Sequence, residues 1–584
     1  ILRPQARRAY SHVAIPQSAN SKVSSLHIWS IGVDGHEYAI AEKDMTEQGV
    51  GGRGEMELYD DTRWRVAEVP GADVGSVIAT EYEREWPFFI SEYPWDIQGT
   101  IPVRKARLKL NLPAGYTYKA IWKGKAIVKP IDLEHGHTLW EMENVPEIDL
   151  EDVPLSPSYG LLASRLDVHY SGPGIAQPMG GEWSSMGLWY EALARDRNHP
   201  DEAIAQKAQS LVAGKTDFAD RVEAVGQYVQ QQIRYVAIEV GISGWQPHAA
   251  SAIYKNSYGD CKDKATLLSA MLSAVGIRST WLMVDTNRGV IAPEDPSISG
   301  NHMIAAIEIP KDYNSPRLHS VVTARSGKRF LIFDPTWEKT PFGYLESELQ
   351  GSYGLLVDGK DSEAILLPLL EPEHSAVNRK ATFTLDAEGG LKGQVVETRF
   401  GDIARYRRQV YSNWTEKQQQ EFMDRMLARD FTTFHVSDVK VSNVKDLQKA
   451  LTVSYDLEAN RFGQKMGPLL MLRPRVLGSD GFAVDHKERK VPIDLNETLR
   501  VHDEYEITLP VGYAMDEIPR AVKFDVGFAT YESSSEMKSG RLYYSRTYTV
   551  RDISLPADRY ADVQKLAGVI EADEQGSAIL KRLQ

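Results

Sequence analysis

Apolar residues follow two different periods along this chain, and the change falls near residue 198. Ahead of it, residues 103–112 alternate in part, with Ala106, Leu108, Leu110 and Leu112 on one side, and stop at Pro113-Ala114-Gly115. That pattern predicts a half-buried strand ending in a turn. Residues 138–145 and 165–170 read as further short strands, and connections such as Ser171-Gly172-Pro173-Gly174 are rich in glycine and proline. Together they predict a β-sandwich over residues 1–197, with 183–194 as a short helix leading out of it.

From residue 198 the spacing becomes helical. Residues 200–212 end at Gly214, a residue suited to the position after a helix C-terminus. Asp217 is placed to cap a second helix, whose apolar stripe is Phe218, Val222, Val225, Val229 and Ile233. A third helix is predicted over 261–275, with Ala265, Leu268, Met271, Leu272 and Val275 on one side and Gly276 closing it. Strands follow near 279–285, 302–309 and 329–333, so residues 198–355 are expected to form an α+β core. Residues 356–584 turn β-rich again. Segments 381–385 and 391–398 flank Glu388-Gly389-Gly390, a hairpin signal. A polar helix is expected near 402–429, a strand near 542–550 and a terminal helix over 557–583. The fold class is therefore multidomain α+β. No internal repeat is evident.

Length agrees with that division, because 584 residues exceed the roughly 250–300 that one core holds. Three domains are expected, within a range of two to four. The apolar share of 42% and the charged share of 25% are those of a globular protein. The 27 Tyr and 12 Trp favour β structure, where aromatic rings fit a pleated surface. A net charge of −14 argues against a nucleic-acid partner, which needs a basic face. No run of about 20 apolar residues occurs, so no membrane-spanning segment is expected. The sequence starts at Ile1, which we read as a processed chain whose targeting segment lies outside it.

The candidate chemistry centres on Cys261, the single cysteine, in Tyr258-Gly259-Asp260-Cys261-Lys262-Asp263-Lys264 at the start of the third helix. Unpaired N–H groups and the dipole at a helix start favour thiolate over thiol. Lys262 and Lys264 either add positive potential or point to solvent, and Gly259 lets the backbone turn into the helix. A nucleophilic thiol needs a base, and the base needs an orienting group. His302 opens one predicted strand, and Asp334 ends another just before Pro335. If those strands are neighbours, the two side chains can meet at the cysteine's end of the helix. His248 is the rival base, with a role at the helix start preferred for it. Gln246, in Gly244-Trp245-Gln246-Pro247, is a candidate oxyanion donor or a turn residue.

Three weaker patterns carry no site. His135-Gly136-His137, with Glu134 and Glu141 nearby, suits a hairpin tip better than a metal centre, so no metal and no cofactor is expected. Gly214-Lys215-Thr216 lacks the first glycine of a phosphate loop, because Gln209 stands there. Gly49, Gly51, Gly52 and Gly54 read as a loop.

The stretch from Gly259 to Leu268, then Met271-Leu272 and Gly276-Ile277, resembles the cysteine motif of bacterial transglutaminase-like proteins. Asn301-His302 resembles their histidine motif, and Asp334-Pro335-Thr336 their acidic motif. The helix ending Ile233-Arg234-Tyr235-Val236 is similar to the one that precedes their cysteine. One departure stands out: Met303-Ile304 follow the histidine where many members have a small residue and Trp. Residues 75–102 and 183–193 resemble an N-terminal β domain of unknown function, and 498–584 a C-terminal one. The resemblance implies a papain-like core with a catalytic triad of Cys261, His302 and Asp334 acting by acyl transfer through a thioester. It also implies a protein or peptide substrate and a periplasmic or secreted location. Hydrolysis is expected ahead of crosslinking. A catalytically silent binding or assembly module at the cell surface and a small-molecule acyltransferase stay open as alternatives, as does the oligomeric state.

Overall fold

Two short β units, a helix-covered sheet and a large β-rich unit follow one another along the chain. The computed structural model describes residues 1–49, 57–87, 89–124, 127–133, 136–478 and 481–583. Gly51, Gly52, Gly54, Glu134 and His135, singled out above, lie outside them.

The N-terminal part is β-rich. Strands Val23–Ile31 and Arg63–Glu68 belong to two three-stranded sheets whose inner faces share Val23, Leu26, Ile28, Ala67 and Val69. Strands Val103–Asn111 and Arg165–Ser171 belong to two more, sharing Trp140, Leu166 and Val168. Leu108 and Leu110 pack on that second cluster, so the alternation along this strand marks its inward face.

The central part begins with helix α1 (Trp183–Leu193), followed by α2 (Glu202–Val212) and α3 (Phe218–Gln232). Asp217 caps α3 by accepting from Asp220 N at 3.2 Å. Strand β1 (Arg234–Glu239) comes next, then α4 (Cys261–Ser273). Strands β2 (Ser279–Val284), β3 (His302–Ile309), β4 (Val321–Thr323), β5 (Arg329–Phe333), β6 (Tyr353–Leu356) and β7 (Glu363–Leu366) form one antiparallel sheet in the order β4-β5-β3-β2-β6-β7. On one face Ala305, Ile307, Leu331 and Phe333 pack against α2, α3 and α4. On the other, Ile304, Ala306, Phe330 and Ile332 pack against Leu345 and Leu349. Covering both faces explains why β3 is almost unbroken apolar rather than alternating.

Three elements differ from expectation. The core sheet runs through β7 to Leu366, past residue 355. Residues from Arg234 onward leave α3 and form β1, which pairs in parallel with Glu57–Asp60 and with Tyr258–Gly259. The β-branched Val236 and Ile238 suit that strand, and an N-terminal segment is thereby stitched into the core. The expected terminal helix stops at Gln575, and Ala578–Arg582 is a strand paired with Leu469–Leu472 and Tyr513–Glu517. Ala578 and Leu580 are its buried alternate residues, a period-two signal too short to read beside a helix.

The C-terminal part is β-rich around an eight-stranded sheet, with Ala376–Leu385 and Leu391–Phe400 paired as a hairpin. The polar helix expected near 402–429 is two helices, α5 (Arg405–Asn413) and α6 (Glu416–Leu427). Thr415 and Gln418 form a capping box that starts the second.

Candidate active site

Cys261 is the first residue of α4, and Asp260 caps the helix. The Asp260 carboxylate accepts from Asp263 N at 3.2 Å, and Asp263 accepts from Asp260 N at 3.3 Å. This reciprocal cap fixes the helix start. It also explains Gly259: a Cβ there would lie 2.6 Å from Asp263 Cβ, displacing the carboxylate that closes the cap. Asp263 further accepts from His248 N at 2.8 Å and from His248 Nδ1 at 3.0 Å. His248 thus belongs to the frame of the helix start.

Neither lysine beside the cysteine points to solvent. Lys262 is buried against Asp260. Burial opposes its charge, but Asp260 and then the Cys261 sulfur outweigh this and raise its pKa. Lys264 is also buried and donates to the carbonyls of Gln230 (3.2 Å) and Ile233 (2.7 Å). It therefore satisfies carbonyls at the end of α3, where the chain turns into β1. Burial pushes its pKa down to about 8.

His302 and Asp334 meet because β3 and β5 are adjacent antiparallel strands, with Ala305 opposite Phe333. His302 Nε2 donates to Asp334 Oδ2 at 2.7 Å. Asp334 Oδ1 accepts from Thr336 N at 2.8 Å and from Thr336 Oγ1 at 2.6 Å. With Nε2 engaged, Nδ1 is the ring nitrogen left for Cys261, which is near enough to act on the His302 charge. Burial alone would lower the His302 pKa. The Asp334 carboxylate, its hydrogen bond to the ring and the neighbouring Cys261 overcome that and hold it well above 6.5. Burial would likewise raise the Asp334 pKa, but His302 and Thr336 hold it below 3.8. The arrangement favours the imidazolium form of His302 beside the Asp334 carboxylate.

Gln246 is not brought to these residues. Its Nε2 donates to Leu193 O at 2.6 Å, and its Oε1 accepts from Arg197 at 2.8 Å. It ties α1 to the turn before the site. Two tyrosines that the sequence did not single out as site residues sense the charge of Cys261. Tyr190 of α1 is 1% exposed, and its hydroxyl has no hydrogen-bond partner among the described residues. Burial first, and then the nearby charges of Cys261 and Asp260, raise its pKa well above 10. Tyr235 of β1 is raised by burial and next by Cys261. Cys261 itself is partly exposed and packs at the edge of a cluster containing Trp189, Tyr190, Trp281 and Met303. Met303, the departure noted above, is thus a wall of that cluster. A lone aromatic in a distant helix carries no local signal of such a position.

The segment between β2 and His302 is gripped from both sides. Asn301 bonds Thr286 through both ends of its amide, at 3.0 Å each, closing the segment on itself. From the N-terminal side, Arg165 binds Asp295 (2.7 Å), Ser297 (2.9 Å) and Ser299 (2.7 Å). From the C-terminal side, Asp494 accepts from Arg288 at 2.5 Å. Asp167 also accepts from Arg165, at 2.7 Å, and Glu92 accepts from Ile298 N at 3.3 Å. These carboxyl groups are buried around one guanidinium. Burial first, and then Asp295, raises Asp167 to about 9. Burial also raises Glu92 to about 8, against the pull of Arg165.

The folded chain thus keeps protons that the unfolded chain releases near pH 4, so this cluster's contribution to stability falls as pH rises from about 4 to about 8–9. Asp167→Asn keeps the oxygen that Arg165 binds and removes one titration. Its melting temperature relative to wild type should be higher at pH 8 than at pH 5, by about 2–4 °C or more. An equal offset at both pH values in calorimetry would refute this account of the cluster.

Residues 205–335 match the transglutaminase-like superfamily, a span that contains Cys261, His302 and Asp334. Residues 1–149 match a domain of unknown function (DUF3857), and residues 469–580 match another (DUF3858). Among solved structures, the chain is similar over 100% of its length to 94% of a candidate protease from Parabacteroides distasonis, with a TM-score of 0.63 and 13% identity. At that identity the likeness speaks for the fold alone. A candidate cysteine protease from Cytophaga hutchinsonii, at 10% identity over 47% of this chain and 78% of that one, has a TM-score of 0.19 and carries no argument. No curated protein matches the chain.

Proposed function

We propose that this chain, a transglutaminase-like core set between two domains of unknown function, is a cysteine-dependent hydrolase of peptide amides. The observation that carries the reading is His302, bonded to Asp334 at 2.7 Å through Nε2 and held charged in part by Cys261, the first residue of the capped helix α4. The name of the Parabacteroides distasonis relative, a candidate protease, is consistent with it.

In this reading Cys261 Sγ attacks the amide carbon and the carbonyl oxygen becomes an oxyanion. First-turn N–H groups of α4, which have no partner inside the helix, stabilise that charge. With Gln246 engaged elsewhere, the second donor is the Tyr190 hydroxyl. His302 then gives its proton to the leaving amine as the C–N bond breaks, leaving a thioester. Water attacks the thioester, His302 takes the water's proton and returns it to the departing thiolate, and a carboxylic acid is released. Water is the favoured acceptor because Cys261 is only partly exposed at the edge of an aromatic cluster. The side chain of a second protein would need wider access.

One assay tests the nucleophile and the donor together. Iodoacetamide should alkylate Cys261 faster than a free thiol at pH 7, and thiol-reactive peptide probes should label it. Tyr190→Phe should label as fast as wild type yet turn over peptides about 10²-fold more slowly. Alkylation no faster than that of a free thiol would reject the activated thiolate. Unchanged turnover in Tyr190→Phe would reject the donor assignment alone.

A further inference from the structure

A concentration of unpaired positive charge lies in the C-terminal part, against the loop that follows Asp334. A cavity of about 830 Å³ opens between α5, α6 and Trp337. Its wall carries Arg407, Arg425 and Arg429, with the rings of Trp337, Tyr406 and Phe422. Arg399 and Arg405 also line it, but each is neutralised: Arg399 by Glu397 at 2.6 Å, Arg405 by Glu348 at 2.7 Å and Asp402 at 2.8 Å. Among the described residues, Arg407, Arg425 and Arg429 form no ion pair. Arg407 donates to the Met426 thioether at 2.7 Å, a weak acceptor, and stacks over Phe422 at 4.3 Å.

Burying Arg407 without an anionic partner is costly. Burial, and then the neighbouring Arg399, push the Arg407 pKa down to about 10. The carboxyl of Glu497, also on the wall, offsets little of the charge. Burial, and then Asp402 and Glu348, push it up to about 7. A chain of net charge −14 has no general reason to gather such a patch. Guanidiniums bind carboxylates and phosphates with forked geometry. The volume falls within the roughly 300–1,000 Å³ usual for ligand sites, and the rings supply apolar contact that inorganic phosphate would leave unused. The place matters as well. Trp337 lies three residues beyond Asp334, with the Arg405 guanidinium 4.4 Å from the centre of its ring.

We infer that this cavity binds a carboxylate-bearing segment of the peptide substrate, so that the enzyme selects acidic peptides. The inference deepens the hydrolase reading and rests on it. Binding is measured without turnover, so the two can fail separately. Full-length Cys261→Ala protein is titrated against a fluorescent tetraglutamate peptide and its tetraglutamine counterpart, following anisotropy. The acidic peptide should bind at least about tenfold more tightly, and added salt should weaken it. Arg425 and Arg429 are exposed, so the double variant Arg425→Gln/Arg429→Gln should keep its melting temperature while losing about tenfold in acidic-peptide affinity. Arg407→Gln should lose at least as much. Equal affinity for the two peptides, or unchanged affinity in all arginine variants, would overturn the inference. Displacement of the peptide by millimolar phosphate but not by equal free glutamate would also overturn it, assigning the cavity to a phosphate ligand. Failure of wild-type protein to cleave any peptide, with acidic-peptide binding intact, would remove the hydrolase reading and spare the binding site.

Discussion

Peptide turnover should fall by at least about 10⁴-fold in Cys261→Ala and by a similar factor in His302→Ala. In the proposed mechanism the first removes the sulfur that becomes the thioester. In the same mechanism the second removes the group that protonates the leaving amine. Because the two act as one unit, the double variant should be no slower than the worse single one, and that non-additivity is the sharper part of the expectation. Steady-state hydrolysis of a fluorogenic peptide library by the three variants reads it directly. Survival of more than about 1% of wild-type turnover in Cys261→Ala would mean that amide cleavage does not pass through the thioester.

Asp334→Ala should have the next largest effect, about 10²–10³-fold on turnover at pH 7, together with a changed pH profile. The thiolate–imidazolium pair exists above the pKa of the thiol and below that of His302. Burial alone would hold His302 below 6.5, and the Asp334 carboxylate is the main force that raises it well above that value. Removing the carboxylate therefore moves the alkaline limit of activity down. The same change should appear in the pH dependence of iodoacetamide alkylation, which reads the thiolate without any substrate. Asp334→Asn, which keeps a hydrogen-bond acceptor for Nε2, should restore part of the turnover while still lowering the alkaline limit. An unmoved alkaline limit in both variants would show that Asp334 only orients the ring. For stability the signs are opposed. The contribution of His302 is complete below about pH 6.5 and is lost as pH rises through its raised folded pKa. That of Asp334 is complete above about pH 3.8 and is lost as pH falls through its lowered one.

The helix start at Cys261 was legible because every signal for it is local. Gly259, the Asp260–Asp263 capping box and the apolar stripe behind them sit within one short stretch, and each has a meaning independent of the rest of the chain. The strand starting at His302 and the strand ending before Asp334 were legible for the same reason. Hairpin 376–400 was legible from its turn residues. The place of Gln246 was not legible, because a side-chain amide next to a turn has the same sequence context whether it faces a site or braces α1. The split of residues 402–429 was missed although Thr415 and Gln418 spell a capping box. In that case the local signal was present, but a polar run hid it.

What the sequence by itself determined is the chemistry on offer: one thiol at a helix N-terminus, with a histidine and an aspartate at strand ends, in a chain too long for one core. Only the tertiary structure decided how these meet. The 2.7 Å contact between His302 and Asp334 depends on β3 and β5 being neighbours, a choice made by packing over residues 32 apart. Tertiary packing also buried Lys262 and Lys264, brought Tyr190 to the cysteine and clamped the segment before His302 with Arg165 and Asp494. The physical reason is one of range. Capping, periodicity and turn chemistry act over a few residues and leave a mark in the sequence at that distance. Burial, charge pairing and strand order are settled by partners tens to hundreds of residues away, whose identity no local pattern records.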